Sequence, residues 1–116
     1  MSYKIIPTGN FSKELKRLNK KYPSLKQKIK DFSNELLDNP KTGTPIGHNC
    51  YKVRISTSDK PGGKSKGFRI ITYVIFSKEI IFLLSIYDKS EIPTIKNWEI
   101  KRIIKELDKI TLFGEN

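Results

Sequence analysis

Six basic residues lie between positions 52 and 69 and share that stretch with a single acid, Asp59. Cations at this density repel one another and cost folding free energy, so the pattern indicates a polyanionic partner outside the fold. The planar guanidinium group of arginine donates two parallel hydrogen bonds to phosphoryl oxygens. A lysine beside other cations can have a lowered pKa, which suits it to proton transfer. The six residues are Lys52, Arg54, Lys60, Lys64, Lys66 and Arg69.

These residue types suit the cleavage of RNA by its own 2′-hydroxyl group. The reaction must remove the hydroxyl proton, stabilise charge on the phosphorane and protonate the leaving 5′-oxygen. Two residues on a later segment add to this set. Tyr87 has a side chain that can stack on a base or join proton transfer, and Lys89 is a further cation. The chemistry needs no metal, and the sequence has no cluster of acids or histidines suited to one. We therefore expect neither a metal nor another cofactor.

The charge distribution favours nucleic acid as the partner. The formal net charge is +11, with 16 basic and 5 acidic residues in 1–77 and 7 of each in 78–116. A membrane surface is the second interpretation, but the longest apolar stretch, 80–84, is too short to cross a bilayer. The first residues lack the apolar run of a signal peptide, and the single cysteine, Cys50, excludes an intramolecular disulfide. We expect a cytoplasmic protein with no membrane partner.

The elements that must position these side chains form one α+β domain over residues 1–116. Apolar stripes predict two N-terminal helices, the second opened by a capping box at Ser24–Gln27, and a last helix capped by Thr94. Both N-terminal helices and the C-terminal helix are expected to pack with a small, mostly antiparallel twisted sheet. Strands are predicted at 3–6, 51–57, 67–76 and 80–87, and a loop at 40–49.

Alternation along the strand at 51–57 sorts the basic residues to one face. Tyr51, Val53 and Ile55 would face the helices, and the residues between them, Lys52 and Arg54, would face the open side. Arg69, on the next antiparallel strand, can join them there. Plain alternatives exist: a sheet face exposed to water must be polar anyway, and a tyrosine at a strand end is often core. Trp98 is expected to anchor the last helix.

Three segments in this order resemble the RelE/ParE superfamily of bacterial type II toxins, and most closely its HigB-like RelE branch. They are 47–54 (GHNCYKVR), 63–73 (GKSKGFRIITY) and 83–91 (LLSIYDKSE). The resemblance implies a ribosome-dependent mRNA endonuclease that cuts in the A site and is neutralised by a cognate antitoxin. It also implies catalytic roles for some of the basic residues and for one tyrosine, with RNA-backbone contacts from others. The catalytic set is Arg54, Lys64, Arg69, Tyr87 and Lys89, and the RNA-binding set is Lys52, Lys60 and Lys66.

The sequence departs from that pattern at Lys66-Gly67, where the superfamily has two glycines. The extra charge is compatible with RNA but leaves three functions open. The first is the mRNA endonuclease. The second is a ParE-like poison of DNA gyrase on the same scaffold, and the third is a nucleic-acid-binding module without catalysis.

Overall fold

The computed structural model describes residues 2–60, 62 and 66–114, with side chains described as far as residue 107. It confirms the predicted α+β class with three helices and a mostly antiparallel sheet. The elements in chain order are β1 (Lys4–Pro7), α1 (Gly9–Lys21), α2 (Leu25–Asp38), β2 (Thr44–Gly47), β3 (Cys50–Ile55), β4 (Phe68–Ile75), β5 (Ile80–Asp88) and α3 (Asn97–Gly114).

The five strands form one sheet in the order β1-β5-β4-β3-β2. β1 pairs with β5 in parallel, and the other three pairs are antiparallel. β4 and β5 form the predicted hairpin, in which Glu79 takes a left-handed conformation with a φ of 54°. β4 is the central strand of this order and β5 lies next to it. The side chains of both strands are largely buried on both faces, which explains the continuous apolar run in each.

The two N-terminal helices cover one face of the sheet. Their predicted apolar stripes, including Phe11 and Leu18 on α1 and Leu25 and Leu36 on α2, are buried against strand residues of that face. The predicted capping box at Ser24 is wrong, because Ser24 makes no side-chain cap in α2. Its amide and hydroxyl instead donate to the two carboxylate oxygens of Asp59, at 3.0 and 2.6 Å.

The segment 40–49 is not entirely a loop as predicted, because it contains the edge strand β2. A tight turn follows, in which His48 and Asn49 both have positive φ values of 55° and 61°. Gly43 has a φ of 110°, and a Cβ there would lie 2.7 Å from the carbonyl oxygen of Lys52. The Gly and Pro content that predicted a loop therefore serves the bends at both ends of a short strand.

The opposite face of the sheet is not open along its whole length, which corrects the sequence-based expectation. Ile100 and Ile103 of α3 cover a second core that contains Cys50, Ile71 and Leu84. α3 begins at Asn97 and not at the predicted Thr94 cap. Trp98 is 62% exposed, so it does not anchor this helix. Among the described residues, no helix is both long and apolar enough to cross a membrane.

Candidate functional site

Three side chains lie in one row across the face of the sheet on which α3 packs. Arg54 of β3 lies directly opposite Arg69 of β4, and Arg69 lies directly opposite Tyr87 of β5. Directly opposed residues in antiparallel strands have Cβ atoms about 4.5–5.5 Å apart. The structure therefore brings Arg54 and Arg69 together as the strand alternation predicts. We call these three residues the arginine row.

Arg69 is the central member of the row and is only 3% exposed. Its Nη1 donates to the Phe68 carbonyl oxygen at 3.1 Å. Burial and the charge of Arg54 lower the pKa of Arg69, although Tyr87 acts to raise it. Arg54 is exposed, so the row joins one cation that meets solvent to one that the fold has largely desolvated. Such a pair attracts an anion more strongly than two hydrated cations do.

Tyr87 forms the inner end of the row and belongs to the second core, with 2% of its surface exposed. Among the described residues, its hydroxyl is buried without a hydrogen-bond partner. The alternative of simple core packing therefore holds for the ring but does not explain the hydroxyl. An unsatisfied buried hydroxyl costs about 1–3 kcal/mol, so a partner for it is expected from outside the described residues.

Lys52 and Lys89 flank the row and reach the same short segment. Lys52 Nζ donates to Thr94 Oγ1 at 3.3 Å, and Lys89 Nζ donates to the Pro93 carbonyl oxygen at 3.1 Å. Both contacts are exposed single hydrogen bonds, so an incoming phosphate can replace them. Two further predicted cations follow β3 in the sequence. Lys66 is exposed and packs near Gly62, and Lys64 lies outside the described residues.

Lys60 does not fit its predicted contact with RNA. Its side chain is 8% exposed, and its ammonium lies 3.1 Å from Oδ1 of Asp88, which is 2% exposed. The same ammonium lies 5.4 Å from the ring centroid of Tyr22 and 5.8 Å from that of Phe68, on the face covered by α1 and α2. The charge of Lys60 is therefore used inside the fold, where it compensates a buried carboxylate.

Glu14 of α1 lies near the row and gave no signal in the sequence. β1 ends at Pro7, opposite Leu83, and side chains of α1 continue the edge of β5 beyond that point. Asn10 Nδ2 donates to the Leu84 carbonyl oxygen at 2.9 Å, and Oε1 of Glu14 accepts from the Ile86 amide at 3.2 Å. Glu14 Oε1 also accepts from Asn10 Nδ2 and from Ser85 Oγ, both at 3.0 Å. Burial raises the pKa of Glu14, despite opposing hydrogen bonds from Ile86 and Ser85.

This arrangement predicts a pH-dependent effect of Glu14→Gln. The raised pKa means that Glu14 supports folding fully below its ordinary value of 4.5 and loses that support as pH rises through the raised value. Glutamine keeps an acceptor for Ile86 and carries no charge. The free energy of unfolding of the variant, relative to wild type, should therefore increase between pH 4 and pH 7 in chemical denaturation. Glu106→Gln on exposed α3 is the control, and a difference that stays constant with pH would contradict the prediction.

Cys50 lies in the second core of the sheet. Burial raises the pKa of Cys50 to about 11, so its thiol is not a nucleophile near neutral pH. In the part of the chain that the structure describes, no three His, Cys, Asp or Glu side chains are grouped to hold a metal ion. The row itself offers two arginine side chains and a tyrosine, with lysines beside them.

Solved structures share this fold. A double arginine-to-alanine variant of E. coli toxin RelE in the free state superposes with a TM-score of 0.60 at 20% identity, covering 91% of this chain and 98% of that one. For a chain of the intact E. coli RelBE toxin-antitoxin complex, the TM-score is 0.58 at 21% identity, and the match covers 74% of this chain and 95% of that one. Isolated E. coli RelE toxin gives 0.58 at 19% identity, with 90% and 98% covered. No family model matches the chain.

The chain therefore has the RelE fold, and the resemblance to the RelE/ParE superfamily is confirmed at the level of the fold. The match covers nearly the whole of the RelE chain as well as most of this one. The HigB-like assignment stays a prediction, as do the chemical roles of the site residues.

Proposed function

We propose that this protein is the toxin of a bacterial type II toxin-antitoxin system and acts as a ribosome-dependent endonuclease on mRNA. The observation that carries the proposal is the arginine row, in which a buried arginine and an exposed arginine lie side by side on the same sheet face. The fold shared with RelE toxins supports the same activity. The partners are then a cognate antitoxin, the ribosome and mRNA, all met in the cytoplasm.

In the proposed reaction, the 2′-oxygen of the RNA attacks the adjacent phosphorus, and the bond to the 5′-oxygen breaks. Arg69, backed by Arg54, binds the non-bridging oxygens and stabilises the charge that develops on the phosphorane. A lysine takes part in moving the 2′-hydroxyl proton or in protonating the leaving 5′-oxygen, and the candidates are Lys64 and Lys89. Tyr87 lies opposite Arg69 and forms the inner end of the site. Lys52 and Lys66 contact the RNA backbone.

The row alone does not fix an RNA strand in an attack geometry, because Arg54 and the flanking lysines are exposed or bonded only at the surface. The ribosome is expected to hold the mRNA so that the 2′-oxygen and the leaving oxygen are in line. Free RNA should accordingly be cut far more slowly than mRNA on the ribosome.

Primer-extension mapping of mRNA in a purified translation reaction tests the proposal. Wild-type protein should produce cuts at A-site codons only when ribosomes are present. Intact mRNA together with growth arrest and double-strand breaks in cells would favour a gyrase poison instead. Intact mRNA without growth arrest would leave a nucleic-acid-binding module, whose affinity should fall steeply with salt.

A further inference from the structure

A pocket of about 280 Å³ adjoins the arginine row at the edge of β5. Its walls come from α1, from the end of β5, from residues 91–96 and from the first turn of α3. Tyr87 belongs both to this wall and to the arginine row, so the pocket begins where the row ends. We call it the edge pocket.

The lining of the edge pocket has more acids than cations, although the protein is strongly basic. Glu14, Glu91 and Glu99 line it, with Lys96 as its one cation among the lining residues. Glu91 is paired with Arg17 at 3.3 Å, so the negative charge open to a ligand comes from Glu14 and Glu99. The Glu14 carboxylate accepts three hydrogen bonds from described residues, and all three go to Oε1. Its other oxygen, Oε2, is therefore available to a ligand. The buried Tyr87 hydroxyl, unpartnered among the described residues, lies in the same wall. Ile92, Pro93 and Ile95 add apolar surface suited to a planar ring.

We propose that the edge pocket binds one nucleobase of the RNA whose phosphate is held by the arginine row, and that it selects bases rich in hydrogen-bond donors. Negative charge rejects phosphate but accepts N–H groups, and carboxylates read exocyclic amino groups of bases. Guanine offers two adjacent donors on its Watson–Crick edge, whereas uracil offers one. Guanine should therefore be preferred over uracil. This inference rests on the proposed function, because it assigns the base specificity of that site.

The first test compares the cleavage maps of folded variants on mRNAs that present each codon in the A site. Wild type should cut more often beside guanine than beside uracil. Glu14→Gln and Glu99→Gln should each lower that ratio about 5-fold or more, since a good carboxylate–base contact accounts for a discrimination of that size. Glu106→Gln, which removes an equal charge from exposed α3, should leave it unchanged. The ratio does not depend on the overall rate, so general loss of activity does not mimic the result.

The second test needs no cleavage, and so separates failure of the pocket from failure of the proposed function. Guanosine, which has no phosphate for the arginines, is titrated against the protein while the Tyr87 ring signals are followed by NMR, with uridine as the comparison. Guanosine should shift those signals in wild type and not in Glu14→Gln. If mRNA is never cut but guanosine still binds through Glu14, the result supports the base-binding role of the edge pocket and contradicts the proposed endonuclease activity.

Two results would overturn the inference. One is a guanine-to-uracil ratio that is the same in wild type, Glu14→Gln and Glu99→Gln, together with no binding of guanosine. The other is an unchanged ratio together with weaker binding of a protein partner by Glu14→Gln, which would mean that the pocket takes a lysine or arginine side chain.

Discussion

Replacement of Arg69 by methionine is expected to lower mRNA cleavage by about 10²–10³-fold, the usual effect of removing one donor that stabilises transition-state charge. The same change should leave the free energy of unfolding unchanged or raise it. Burial and the neighbouring Arg54 both act against the charged form of Arg69, which is why its pKa is lowered in the fold. Methionine has a similar length and no charge to desolvate, and this gain is expected to offset the loss of the hydrogen bond from Arg69 to the Phe68 carbonyl oxygen.

The opposite directions of the two effects make this prediction specific. A residue that only packs the sheet would lose stability and activity together when replaced. Cleavage rates at saturating ribosomes and chemical denaturation of the same preparations measure the two quantities. Arg102→Met is the matched control, because Arg102 is 54% exposed on α3 and the change in charge and shape is the same. It should alter neither quantity appreciably.

Arg54→Met should lower the rate of cleavage by about 10-fold, which is a smaller effect than that of Arg69→Met. The reason is that an exposed cation is hydrated and screened, and so stabilises a phosphate less than a desolvated cation does. An Arg69→Met protein that is folded and fully active would contradict the role of the row. So would one that loses several kcal/mol of stability, since Arg69 would then be a structural residue.

The arginine row was accessible from the sequence because strand periodicity is local. Tyr51, Val53 and Ile55 alternate with basic residues, and this pattern sets the face of Arg54 without knowledge of the partner strand. The short hairpin between β4 and β5 likewise fixed which strands are neighbours. The register of the strand pairs β3–β4 and β4–β5 could not be predicted from the sequence. This register places Arg69 opposite both Arg54 and Tyr87.

Contacts between distant segments escaped prediction. Lys60 appeared in the sequence as one more cation of a basic loop, and its acid partner Asp88 lies at the far end of β5. Glu14 gave no signal in the sequence, because nothing local shows that β1 stops short and leaves the edge of β5 to α1. Both cases concern charge that the fold buries, which composition and periodicity do not report.

Lys60→Met is expected to lower the free energy of unfolding by about 3–5 kcal/mol, the typical result of removing one partner from a buried ion pair. The change leaves the Asp88 carboxylate, 2% exposed, without its counter-charge. Burial alone would raise the pKa of Asp88, but hydrogen bonds from Ser90 and Lys60 and the charge of Lys60 together lower it. In wild type the carboxylate is therefore held ionised inside the fold.

A double-mutant cycle measures the interaction and separates it from loss of packing. Asp88→Asn alone should also destabilise, because it leaves a buried ammonium near the rings of Tyr22 and Phe68. The double variant Lys60→Met/Asp88→Asn should be more stable than the sum of the single changes predicts, since no unpaired charge remains. The exposed pair Arg102–Glu106 provides the matched control cycle, with an expected interaction of about 0.3–0.5 kcal/mol.

The sign of the pH dependence follows from the lowered pKa of Asp88. Its contribution is complete above the ordinary value of 3.8 and is lost as pH falls through the lowered value. The difference in free energy of unfolding between wild type and Asp88→Asn should therefore be constant near pH 7 and shrink below about pH 4. Equal stability of wild type and Lys60→Met at pH 7 would show that the pair contributes nothing.

The position of this pair also connects stability to the site. Asp88 is the last residue of β5, follows Tyr87 and lies opposite Phe68 on β4, so its side chain points away from the arginine row. Because neighbouring residues of a strand point to opposite faces, Tyr87 faces Arg69 and the edge pocket, and we expect the Lys60–Asp88 pair to stabilise this end of β5. A folded Asp88→Asn protein should accordingly lose cleavage activity even at temperatures where its unfolded fraction is negligible. Full activity under those conditions would limit the pair to a role in folding.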